Sequence, residues 1–133
     1  MLTKPTQSFI LEITEKSDQE FQDGGITFEY KYAHRLAHTV FDHNFLKTTA
    51  DIIREFNDKE VQQIECFFTT SLSLKQKDTE LKSKEFIQLL KQDFSDYYRQ
   101  ISSFNSDGYS IDIVIHFIKE NDFHELNLFW SMD

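Results

Sequence analysis

Residues 109–130, YSIDIVIHFIKENDFHELNLFW, decide the fold class. Tyr109, Ile111, Ile113, Ile115 and Phe117 occupy every second position of the first half, and Leu126, Leu128 and Trp130 do so in the second. Alternation at period two puts each set on one face of a strand, so the stretch reads as a β-hairpin. For the two sets to share a face, odd positions of the first strand must pair with even positions of the second. A two-residue turn at Glu120-Asn121 achieves this and sets Ile115 opposite Leu126. A turn at Asn121-Asp122 also does, with Ile115 opposite Leu128. Asparagine at the first central position suits a type I′ turn and favours the second placement.

Upstream, Phe86, Ile87, Leu90, Phe94, Tyr97, Tyr98, Ile101 and Phe104 recur at three- and four-residue steps. This spacing predicts one long helix from about Thr79 to Phe104, ended by Asn105-Ser106-Asp107-Gly108. Residues 60–74 return to period two through Ile64, Cys66, Phe68, Thr70, Leu72 and Leu74, and their β-branched and aromatic content favours a strand. Leu46, Thr49, Ile53 and Phe56 share one helical face, predicting a helix over 45–56. Ile26, Phe28, Tyr30 and Tyr32 alternate with Thr27, Glu29 and Lys31, predicting a strand over 26–32. Residues 33–40 can continue it through His34, Leu36, His38 and Val40, or form a helix, which also places Leu36 and Val40 together. Phe9, Leu11 and Ile13 predict a first strand over 8–14, with Gly24-Gly25 closing the connection where positive φ is easy. The expected order is β-β-α-β-α-β-β. It describes a single α+β domain over 1–133, a mainly antiparallel sheet of about five strands with two helices on one face.

The chain has 133 residues, three Gly and one Pro, which leaves no flexible linker. The formal net charge is −9, and it resides at the two ends. Residues 1–30 carry six acids against Lys4 and Lys16, and residues 105–133 carry six against Lys119, while the stretch between is balanced at eleven and eleven. Such acidity opposes direct binding to duplex nucleic acid or to an anionic membrane. Cys66 is the only cysteine and lies in an apolar run, so it reads as a small buried side chain in a reducing compartment. No apolar stretch fits a signal peptide and none approaches the ~20 residues of a membrane span, so a cytoplasmic location is expected.

Three groups of residues are candidates for a site. His34, His38 and Asp42 would line one helical face at steps of four and could ligate a metal. On a strand, however, His34 and His38 lie roughly 13 Å apart at ~3.3 Å per residue, too far to share one ion. The outer face of the carboxyl-terminal hairpin carries Asp112, His116, Phe123, Glu125 and Phe129. It mixes aromatics with acids as protein interfaces do, and His116 meets Glu125 if the turn is at Glu120-Asn121. The acids of both ends, Glu12, Glu15, Asp18, Glu20 and Asp23 with Asp112, Glu120, Asp122 and Glu125, could form one surface if the fold joins them. No Gly-rich phosphate loop, calcium loop or other cofactor motif is present.

The function expected from these features is a small acidic protein-binding module with a basic protein partner. In its sharpest form it is an inhibitor or immunity protein covering the active-site surface of a toxin such as a nuclease, and not itself an enzyme. One alternative is a ligand-binding protein or enzyme. Its pocket would be lined by Tyr30, Tyr32, Tyr97 and Trp130, with His34, His38 or His116 as acid or base. The other is a chaperone-like or structural homodimer pairing through Phe123 and Phe129.

Overall fold

The hairpin that decides the class is present, and its register follows the first of the two turn placements. A computed structural model describes residues 2–21, 24–34, 56–119 and 122–132. Strands β3 (Ser110–Lys119) and β4 (Asp122–Ser131) pair antiparallel with Ile111 opposite Trp130, Ile113 opposite Leu128 and Ile115 opposite Leu126. Lys119 faces Asp122, a pairing that the favoured Asn121-Asp122 turn does not allow. The selection has a physical cause in the cross-strand pairs. This register sets His116 against Glu125, with Nε2 2.9 Å from Oε1, whereas the other would set His116 against Asn127 and forfeit that contact.

Strand β1 (Gly25–His34) joins β4 on its other side, and β2 (Tyr98–Ser106) joins β3, giving an antiparallel sheet of order β1-β4-β3-β2. Ile26, Ile111, Ile113, Ile115, Phe117, Leu126, Leu128 and Trp130 make its buried inner face. Helices α1 (Lys4–Glu20), α2 (Asp58–Ser71) and α3 (Gln76–Asp93) share one core cluster with that face. The class is α+β as expected, but the described residues form four strands and three helices in the order α-β-α-α-β-β-β.

Each departure from the expected order has a local reason. Residues 8–14 belong to α1, not to a strand. The buried set is Thr6, Phe9, Ile10, Ile13 and Ser17, a helical stripe, while Leu11 is 60% exposed. Pro5 stands in the first turn, where its missing N–H has no intrahelical partner to lose. Residues 60–74 are mostly α2. Asn57 accepts from the Glu60 amide at 2.9 Å and Glu60 accepts from the Asn57 amide at 3.0 Å, a capping box that starts the helix. Phe67 and Phe68 are then both buried and Cys66 is exposed, reversing its expected burial.

The long helix expected to reach Phe104 stops at Asp93, where the Phe94 amide bonds the Leu90 carbonyl, and the chain re-forms as β2. A β-bulge lies between Ile101 and Ser103. It sets Ile101 opposite Ile115 and Phe104 opposite Ile113, both inner-face residues. A bulge therefore gives a strand the three-residue same-face step that resembles a helix. Of the remaining expectations, the 26–32 strand is β1, residues 33–34 continue it, and 35–40 and 45–55 lie outside the described residues.

Rings fasten the layers together. Phe9, Phe68 and Phe86, one from each helix, touch pairwise with centroids 5.6–6.1 Å apart. Phe94 stacks on Phe117 at 4.1 Å, and Phe21 meets Trp130 edge-on at 5.0 Å. The Ser17 hydroxyl donates to the Ser71 carbonyl at 2.7 Å, joining α1 to α2. At the entry to β1, Gly25 has φ +123° and a Cβ on Gly24 would run into the Ser131 carbonyl oxygen and the Met132 backbone. Backbone atoms cannot swing aside as a side chain can. Gly24→Ala is therefore expected to cost about 2 kcal/mol by forcing β1 away from the end of β4, read as a lower urea midpoint. An unchanged midpoint would show that this approach is not tight.

Candidate protein-binding surface

The two acidic ends do not merge. The helices lie on the inner side of the sheet, whereas Asp112 and Glu125 alternate onto its outer side, so the sheet separates these two from the acids of α1, while Asp122 shares the inner side with His124. Their surroundings differ as well.

The hairpin acids are engaged within the fold. Asp112 accepts from Asn127 Nδ2 at 2.7 Å. Glu125 lies against His116 at 2.9 Å and against Lys31 Nζ at 3.7 Å. Asp122 accepts from the Tyr32 hydroxyl at 2.8 Å, and Asp107 from the Tyr109 and Ser110 amides at 2.9 and 2.7 Å. Those backbone donors hold the Asp107 carboxyl below its ordinary range. His116 and Phe123, expected on an open contact face, are buried, and Phe129 is the exposed aromatic there. Glu120 lies outside the described residues. The outer face is thus less available than the alternation implied: His116 and Phe123 are buried, and Asp112 and Glu125 are engaged across strands.

The amino-terminal acids stand otherwise. Glu12 makes one exposed contact with Lys82 at 3.5 Å. Glu15 and Glu20 are exposed on α1, Glu29 is exposed on β1, and none of the three forms an ion pair with a described residue. The Asp18 carboxylate sits over Gly25 at the start of β1. Asp23 lies outside the described residues. Between α1 and β1 runs an open groove of about 410 Å³ lined by Leu2, Ile10, Leu11, Thr14, Ile26 and Phe28. The groove is apolar, and the exposed Glu15 stands next to its lining residue Thr14 on α1, a combination suited to a ligand that is both apolar and basic. The helical stripe of α1 was the signal for this groove, and reading 8–14 as a strand concealed it.

His124 is the other unexpected site. It faces inward beside Phe117 and is 1% exposed, with Nδ1 2.6 Å from the Tyr30 hydroxyl and no partner for Nε2. The rings of Tyr30, Tyr32, Phe94 and Tyr97 surround it at 4.8–5.8 Å. Burial pushes its pKa down to about 4, aided by the positive amino terminus and opposed by Asp122. Burial likewise pushes Tyr30 up to about 12, with Tyr97, Tyr32 and Asp93 adding to it. Three of the tyrosines expected to line a pocket do gather, but around His124; Trp130 packs against Phe21 instead. His34 ends β1, His38 and Asp42 lie outside the described residues, and among the described residues no three His, Cys, Asp or Glu side chains are grouped to hold a metal. No helix among them is long and apolar enough to cross a membrane. Comparison of the chain with known protein families, with curated proteins and with solved structures gives no match.

Proposed function

We propose that this chain is a small acidic protein-binding module that occupies a basic surface on its partner, acting as an inhibitor or immunity protein. The partner class that such carboxylates would best block is a toxin whose cleft binds phosphate, such as a nuclease. The observation that supports this is the contrast between the two acidic ends. Asp112, Asp122 and Glu125 are engaged within the fold, while Glu15, Glu20 and Glu29 are exposed and form no ion pair with a described residue. Unpaired surface carboxylates accelerate encounter with a positive partner. The ligand-pocket reading has less support, because His116, one of its acid–base candidates, is buried on the outer side of the sheet against Glu125 and apart from the tyrosines.

The test is affinity capture from the source cell's lysate with the wild-type chain and with the triple variant Glu15→Lys, Glu20→Lys, Glu29→Lys. The wild type is expected to retain one basic protein at low salt and to lose it progressively at high salt. The variant is expected to associate with that protein at least about tenfold more slowly at low salt. Equal recovery by both chains would overturn the acidic-surface reading.

A further inference from the structure

We propose that the outer edge of β1, with the groove beside it, receives an extended segment of the partner as an added strand of the sheet. The segment alternates apolar residues with lysine or arginine. The inference rests on the acidic-surface reading and names what that surface takes.

Sheet edges present unpaired N–H and C=O groups, and proteins usually blunt them with bulges, proline or cover. The two edges here differ. β2 carries a register shift between Ile101 and Ser103, whereas β1 pairs with β4 from Gly25 to His34 without one and contains no proline. Among the described residues nothing pairs with the other side of β1. Among the described residues that edge is long, regular and without cover, and the apolar groove lies directly against it.

An added strand would alternate its side chains between the two faces. Those on the inner side drop into the groove against Leu11 and Phe28, where apolar groups fit. Those on the outer side lie beside Thr27 and Glu29, where a cation is the complement of the unpaired carboxylate. Asp18 and Glu15 extend the same charge along α1. A second copy of this chain is a poor occupant, because each copy carries −9 and a two-fold pairing of β1 edges would bring like carboxylates together.

The test uses the full chain and three labelled synthetic peptides in fluorescence anisotropy at low salt. The first alternates valine with lysine, and the second replaces lysine with glutamate. The third keeps lysine but methylates the backbone amides that would face β1. The lysine peptide is expected to bind at least tenfold more tightly than either of the others and to slow amide exchange in β1. Leu11→Ala, at a side chain 60% exposed, is expected to weaken it several-fold without unfolding the chain. Equal binding of the methylated and unmethylated lysine peptides would overturn strand addition while leaving the acidic surface intact. Equal binding of the lysine and glutamate peptides, with methylation still abolishing it, would retain the edge and overturn the charge reading. A chain that is dimeric alone, with β1 amides already protected, would place a second copy on the edge and overturn the proposal.

Discussion

Phe68→Ala is expected to lower the unfolding free energy by about 3–5 kcal/mol, the range for truncating a large buried aromatic that leaves a cavity. The ring is fully buried and meets Phe9 of α1, Phe86 of α3 and its neighbour Phe67. Its loss therefore removes contacts that join all three helices at one point. Phe67→Ala is expected to cost a similar amount, since that ring is also fully buried. The pair is diagnostic. On a strand, adjacent residues face opposite sides and the two truncations would differ widely. Leu81→Ala, at a position 60% exposed, is the control and should shift stability by no more than about 0.5 kcal/mol. Urea unfolding measures all three, with the midpoint moving and the slope held constant. If Phe68→Ala behaves like Leu81→Ala, the packing of α2 is wrong.

The hairpin and β1 were legible because their alternating apolar residues are the ones that face the core, so the sequence period and the burial coincide there. The helices were not, for reasons that differ from one to the next. In α1, Phe9, Leu11 and Ile13 alternate by coincidence, and only the burial of Thr6, Ile10 and Ser17 reveals the helical stripe. In α2 the Asn57/Glu60 capping box was present in the sequence, but a Thr- and Phe-rich run outweighed it. At β2 the bulge gave a strand a helix-like spacing, so periodicity alone pointed the wrong way. The acidic ends were visible as composition, but which carboxylates remain available depends on cross-strand partners. Asp112 and Glu125 find theirs only once the register is fixed. His124 was concealed for a related reason: its inward position follows from the alternation of β4, yet nothing in the chain announces that Tyr30, Tyr32 and Tyr97 converge on it.

Acid is expected to destabilise the fold through His124 by up to ~3 kcal/mol between about pH 6.5 and 4, at ~1.4 kcal/mol per pH unit of the window. The folded pKa is about 4, whereas an unfolded histidine titrates near 6.5. Below 6.5 the unfolded chain binds a proton that the folded chain refuses, so stability is complete above 6.5 and is lost as pH falls toward 4. The groups facing the ring are Tyr30 and Tyr32 from β1, Phe94 and Tyr97 from the segment leaving α3, and Asp122 from β4. Tyr30 keeps its proton throughout neutral pH because burial holds its pKa near 12, and its hydroxyl shares one hydrogen bond with Nδ1. Nε2 has no partner. A second proton on the ring would place a charge that only one neighbour can stabilise in a pocket closed to solvent. Carboxylates titrate in the lower part of the same window, so the measurement is a difference: stability against pH for the wild type and for His124→Phe. The wild-type curve should fall more steeply between 6.5 and 4.5. The His124 ring resonance should stay in its neutral position until near pH 4. A titration midpoint close to 6.5 would mean that the ring is reached by water and that the aromatic cluster is open.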